Sequence, residues 1–215
     1  MLRSFDFESI VVRIVAVVFA LSVHEMAHAL VSYWMGDPTA KFSGRLSLNP
    51  LHHIDWMGVL CLMVFGFGWA KPVPIDSRYY KDQKTGIIWT SFAGPLANFL
   101  LSFLFLILYF TLIRFAPVFM LSTAVGSFIG SCLTATATIS IGFGVFNLLP
   151  IPPLDGSKIL WSFLPDDTYF RLIEGSPFIS ILFIALLFSG IFDNFLIMLQ
   201  SGILEFFWNI ASMIL

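Results

Sequence analysis

The chain is expected to be an all-α polytopic membrane protein, a bundle of four to six membrane helices. A re-entrant or extended loop should be inserted between its first and second full spans. Three observations predict this. Hydrophobic residues make up 58% of the 215 and charged residues only 11%, less than half of the ~25% charged residues typical of soluble domains. Mean hydropathy is +0.91. Several apolar runs reach the ~20 residues that a helix needs to cross a bilayer, and Gly, Pro and polar clusters separate them. A formal net charge of −2 offers no basic surface to a nucleic acid. Cys61 and Cys132 lie in apolar stretches without CxxC spacing and imply neither a disulfide nor a thiolate metal site.

The first span is Ile10 to Met35, stopped by Gly36-Asp37-Pro38. It is too long for a cleavable signal peptide and has no small-residue cleavage site, so it is expected to be retained. Asp37 to Trp56 is polar and turn-rich. Met57 to Ala70 is apolar but only about 14 residues long and broken by glycines, which fits a re-entrant or interfacial segment. In "WAKPVPIDSRYYKDQKTG", Pro72 and Pro74 at alternating positions force an extended chain suited only to a sheet edge.

The second span is Ile87 to Ile113, with "FAGPLANF" inside it. Here Pro95 should disturb the start of the helix and Asn98 should make an interhelical hydrogen bond. After a turn at Arg114 to Pro117, a third span runs from about Leu121 to Leu149. Its Gly126, Gly130, Ala135, Ala137, Gly142 and Gly144 let backbones approach closely and predict a central place. Lys158 to Ser176 is mixed, with Trp161 and Tyr169 expected at a membrane interface. Pro177 to Leu215 is apolar but interrupted, and fits either one span plus an interfacial helix or a hairpin of two.

These spans place residues 36–86 and 150–177 on one side, with eight of the eleven Lys and Arg. The basic excess makes that side cytoplasmic and the N-terminus external, in a cell membrane crossed several times.

His24-Glu25-Met26-Ala27-His28 matches H-E-x-x-H. On a helix the two histidines lie one turn apart on one face, with Glu25 beside them. Two imidazoles at that spacing can bind one Zn²⁺, and the glutamate can take a proton from water on the metal. Chance produces such a match about once per hundred chains this long. As ordinary helix glue, three adjacent ionisable groups would be costly in a span, where such groups are usually functional. A catalytic zinc needs a third protein ligand. His52 and His53 follow Asn49-Pro50 in a polar loop and read as solvated loop residues. Asp155 ends the third span on the same side as that loop. It falls at a depth compatible with His28, which lies roughly 10 Å from the end of its own helix; its alternative is a turn carboxylate before Gly156.

"VHEMAHAL", "SFAGPLANF" and "FNLLPIPPLDGSKIL" together resemble the site-2 proteases, intramembrane zinc metalloproteases. The likeness extends through "GRLSLNPLHHIDWMG" and "GFGWAKPVPI", over about residues 15 to 165. It is greatest to the small bacterial and archaeal group without PDZ or CBS domains. The resemblance implies one Zn²⁺ held by His24, His28 and Asp155, with Glu25 as general base. It also implies Asn147 as a catalytic contact for the substrate backbone or the developing oxyanion. "PIDSRYY" stands where that group has an Asn-Pro pair after Pro74. A single domain, 1–215, would comprise a catalytic core at about 10–165 and C-terminal membrane segments at about 177–215.

The expected activity is hydrolysis of peptide bonds within or near the transmembrane helix of a protein substrate. The site should face the cytoplasm, where water reaches it. The bilayer is a partner, and a homo-oligomer is compatible. A membrane helix hides its peptide bonds in hydrogen bonds and must unwind before cleavage; the extended "KPVPI" segment would then pair with it by strand addition. The alternatives are a zinc transporter, for which repeated halves are expected and none is visible, and an inactive relative serving as a scaffold. Serine and aspartyl intramembrane motifs are absent from the sequence.

Overall fold

The structure is a computed structural model, described here for residues 7–58, 61, 71–173, 185 and 189–214. Its helices in chain order are α1 (Phe7–Met35), α2 (Thr39–Phe42), α3 (Gln83–Phe115), α4 (Pro117–Ser122), α5 (Ala124–Asn147), α6 (Asp155–Leu160), α7 (Asp166–Ile173) and α8 (Asp193–Ile214). Four of them, α1, α3, α5 and α8, are long and apolar enough to cross a membrane. The protein is an all-α polytopic membrane protein, as composition predicts.

Helices α1, α3 and α5 pack against one another, and α8 lies against α3 and α5. Helix α5 is the most enclosed: 44% of its most apolar stretch is buried, against 6% for α8. Its small residues allow this. Ala137 is fully buried beside Leu106 of α3 and Ala211 of α8, and Ala16 and Ala20 of α1 are likewise inaccessible. Gln200 of α8 donates to the Thr138 carbonyl of α5 at 2.9 Å, an interhelical bond of the kind that holds bundles together in lipid.

The boundaries differ from expectation in places where side chains compete for backbone groups. The third span begins later, because Thr123 is extended and its hydroxyl accepts the Gly126 N–H at 3.0 Å. That cap starts α5 afresh, and the preceding residues form the separate α4, entered through Pro117. Helix α3 starts earlier, at an Asp82 cap that accepts from the Thr85 N–H and hydroxyl. It runs unbroken through Pro95, so the proline disturbs no helix start. Tyr169 is fully buried within the protein, with the Lys84 ammonium 5.4 Å from its ring centre. In the C-terminal region, 193–214 forms one helix long and apolar enough to cross a membrane. Most of the apolar segment 57–70, expected to be re-entrant, and nearly all of 174–188 lie outside the described residues.

The loop after α1 is polar and internally bonded. Asp37 is fully enclosed. It accepts the Ser32 hydroxyl at 2.9 Å, the Thr39 N–H at 2.9 Å and the Asp76 N–H at 2.8 Å. Arg45, also buried, donates to the His52 carbonyl and, at 3.2 Å, to the Pro72 carbonyl. These two residues lay the chain at 71–76, which has no regular secondary structure, along the end of α1. Tyr80 completes the support, its hydroxyl 2.8 Å from Ser32 Oγ and 3.2 Å from Thr90 Oγ1, so that it ties α1 to α3.

Candidate metal centre and catalytic cavity

His24, Glu25 and His28 project from one face of α1, as helical spacing requires. Asp155, the first residue of α6, reaches the same point from the far end of the chain. Its delivery depends on Gly156: a Cβ there would stand 2.6 Å from the Leu149 carbonyl oxygen and closer still to that of Leu148. Only glycine lets α6 tuck beneath the end of α5.

His24, His28 and Asp155 are all buried, and one ligand atom from each lies within 4.8 Å of the others. His24 Nε2 and His28 Nε2 are 3.0 Å apart. Asp155 Oδ2 is 3.1 Å from His28 Nε2 and 3.4 Å from His24 Nε2. Burial pushes the Asp155 carboxyl up, but His28, hydrogen bonding with both imidazoles and Lys158 together hold it well below the usual carboxylate range. The carboxylate is therefore ionised.

The hydrogen-bond partners fix what these atoms present. His28 Nδ1 is 2.6 Å from the Thr90 carbonyl of α3. A carbonyl only accepts, so Nδ1 carries the proton and Nε2 of the neutral ring carries a lone pair. Asn98, fully buried on α3, has its amide 3.2 Å from His24 Nδ1. With the amide nitrogen on that side, Asn98 Oδ1 is left buried without a partner among the described residues. A half-turn of the amide instead lets Oδ1 accept from His24 Nδ1–H, which fixes the ring's other nitrogen as the free one. His24 Nε2 then also presents a lone pair. With both rings neutral, three acceptors converge in a buried space and repel one another unless a proton or a metal ion sits among them. Two imidazole nitrogens and one carboxylate oxygen are the donor set of a catalytic zinc, so these residues fit the metal. Helix α3 packs directly over the pair of rings. A Cβ on Gly94 would stand 2.7 Å from His24 Nε2 and closer to His28 Nε2.

These groups line a cavity of about 240 Å³ together with Glu25, Pro72, Val73, Ile75, Thr90, Ser91, Asn147, Pro153 and Lys158. A larger, mostly apolar recess of about 410 Å³ at Phe7, Glu8, Val11, Ala124, Val125 and Phe128 lies near the start of α1, away from the converging acceptors. Glu25 Oε2 accepts the Val73 N–H at 3.1 Å, so the extended 71–76 chain holds the carboxylate. Lys158 Nζ donates to Asp155 Oδ1 at 3.2 Å.

All five residues singled out in the sequence thus border one cavity. Asn147 stands on its wall, with one amide N–H given to the Phe143 carbonyl of its own helix at 3.0 Å. Of the loop histidines, His52 is exposed, but His53 is not a solvated loop residue. It is buried, and its Nε2 lies 2.7 Å from the Ser47 carbonyl. Neither histidine belongs to the converging set. Thr90 and Lys158 were missed: Thr90 acts through its carbonyl, which every residue has, whereas Lys158 is one turn beyond Asp155 and was legible in principle. Asn98 does more than pin two helices together, because the atom it touches belongs to a candidate metal ligand.

The model of peptidase family M50 matches residues 12–130 and 112–188. Three curated relatives each carry the name "Putative zinc metalloprotease". YwhC of Bacillus subtilis is 33% identical over 80% of this chain and 78% of its own length. Rip2 of Mycolicibacterium smegmatis is 32% identical over 69% of the chain and 56% of its own length. MJ0611 of Methanocaldococcus jannaschii is 28% identical over 70% and 69%. No solved structure is a significant match. A spanning helix bearing H-E-x-x-H, a carboxylate brought to it from α6 and a family match over most of the chain agree: this protein belongs to peptidase family M50 and is a zinc metalloprotease.

Proposed function

We propose that this metalloprotease is of the site-2 type and hydrolyses peptide bonds within or beside the transmembrane helix of a membrane-protein substrate. In this reading residues 1–215 act as one domain in the cell membrane, and the cavity opens toward the cytoplasm. The observation that carries it is the position of the converging acceptors. His24 and His28 are borne by a helix long and apolar enough to span a membrane, and among the described residues their cavity is bordered by a single further carboxylate, Glu25.

In this mechanism His24, His28 and Asp155 hold the metal. When bound, zinc polarises a water molecule and the substrate carbonyl. Glu25 accepts the proton that the attacking water loses and returns it to the nitrogen of the departing amine. The Val73 N–H occupies Glu25 Oε2, which orients the carboxylate and leaves its other oxygen to face water. Asn147 retains one amide N–H beyond the one given to Phe143, and that donor is available to the substrate carbonyl oxygen as negative charge grows there. Pro72, Val73 and Ile75 border the cavity, a position that suits an extended segment guiding an unwound substrate. Charged residues in place of Val73 and Ile75 should then impair cleavage while zinc stays bound.

The test is purified protein with a panel of single-span substrates, with and without a chelator, alongside Glu25→Gln. Cleavage should stop with the chelator. In the variant it should fall by about 10²–10⁴-fold with zinc content unchanged. Chelator-insensitive cleavage, or full activity in Glu25→Gln, would overturn the mechanism.

A further inference from the structure

We propose that Lys158 is a positioning residue for the zinc site: by holding one oxygen of Asp155 it keeps that carboxylate a one-oxygen ligand and leaves a coordination position open. This rests on the zinc-protease reading above and concerns how the site is kept competent.

The two oxygens of Asp155 have different partners. Oδ2 faces the imidazoles, 3.1 Å from His28 Nε2 and 3.4 Å from His24 Nε2. Oδ1 takes the Lys158 ammonium at 3.2 Å. Among the described residues no other donor reaches Oδ1. Exposed ion pairs one turn apart on a helix contribute only a few tenths of a kcal/mol, but this pair is set differently. The Asp155 side chain is 11% exposed and that of Lys158 35%, and among the described residues Lys158 is the only Lys or Arg on the cavity wall.

The chemistry needs such a restraint. A catalytic zinc takes three protein ligands and keeps a fourth position for water or substrate. A carboxylate beside a dication can bind through both oxygens, and the second oxygen would then fill the place that water requires. Lys158 engages that second oxygen. Its placement is built into the fold: Gly156 seats α6 beneath α5, and Ser157 Oγ donates to the Leu154 carbonyl at 2.6 Å. The turn that presents Asp155 is thereby fixed, and Lys158 one turn later meets the distal oxygen. Outer-shell partners of this kind typically change metal affinity or activity by about 10–100-fold when removed.

The test replaces zinc with Co²⁺ in the purified full-length protein and reads its visible absorption, which is strong for four ligands and weaker for five. Wild type and Lys158→Arg should give the strong four-ligand spectrum. Lys158→Met and Lys158→Gln should give the five-ligand spectrum, with kcat lower by about tenfold or more at unchanged KM. Circular dichroism confirms folding, and the two neutral variants guard against one of them failing to fold. A wild-type spectrum in both neutral variants overturns the inference, whether activity holds or falls. A raised KM with an unchanged spectrum also overturns it, by placing Lys158 on the substrate instead. Failure of the wild type to take up Co²⁺ or Zn²⁺ would sink the metalloprotease reading itself, a separate result.

Discussion

Replacing Gly94 with alanine tests the packing of α3 over the metal centre. The added methyl would meet His24 Cε1 at 2.6 Å, His24 Nε2 at 2.7 Å and, closer still, His28 Nε2. Carbon contacts are comfortable at about 3.5–4.0 Å, so the overlap approaches 1 Å and involves the ligand atoms themselves. Two effects oppose each other. Alanine is favoured over glycine inside a helix by about 0.5–1 kcal/mol, whereas overpacking costs about 1–3 kcal/mol. Stability should therefore change little or fall modestly. Zinc affinity should respond more, because the methyl can be accommodated only by turning the imidazoles or by separating α1 from α3, and either breaks the convergence. A tenfold to hundredfold loss of affinity, about 1.4–2.8 kcal/mol, is expected, with cleavage reduced in parallel. Competition with a chromophoric chelator measures the affinity and thermal unfolding the stability. Zinc affinity within twofold of wild type, with full cleavage, would refute the packing argument.

Asn98→Leu should leave His24 Nδ1 without its partner and weaken zinc binding by about tenfold or more, a loss that Asn98→Gln should not fully restore because the longer side chain misplaces the amide; equal affinity in all three proteins would count against a role in orienting His24. Asp37→Asn should destabilise the protein by about 1–3 kcal/mol at neutral pH. Burial pulls the Asp37 carboxyl up, but hydrogen bonds from Thr39, Asp76 and Ser32 outweigh it and hold the group below its ordinary value. A carboxyl lowered in the folded state contributes stability that is present above the unfolded value of about 3.9 and is lost as pH falls through the folded value. Wild type and variant should therefore converge in denaturation midpoint only at strongly acid pH, and a constant difference down to pH 2 would contradict this.

Local regularities carried most of what could be read in advance. The lengths of apolar runs located α1, α3 and α5, because a helix of given rise must match a bilayer of given thickness, and left 177–215 open between one span and two. Misplaced ends came from side chains that capture backbone groups: Thr123 restarts α5 and Asp82 extends α3. The solvated reading of His53 failed because a polar loop can fold on itself and bury an imidazole against a carbonyl.

The sequence by itself determined that a spanning helix carries two imidazoles and a carboxylate on one face, since positions one turn apart meet by helical geometry alone. It also supplied Asp155 as a candidate third ligand, 127 residues beyond His28. Only the tertiary structure decided that Asp155 Oδ2 points at both imidazoles, that the Thr90 carbonyl and Asn98 take their outer nitrogens, and that Gly94 and Lys158 border the ligands. These contacts join α1 to α3 and α6. They depend on the distance and rotation between helices, which packing around small residues sets and no local pattern encodes.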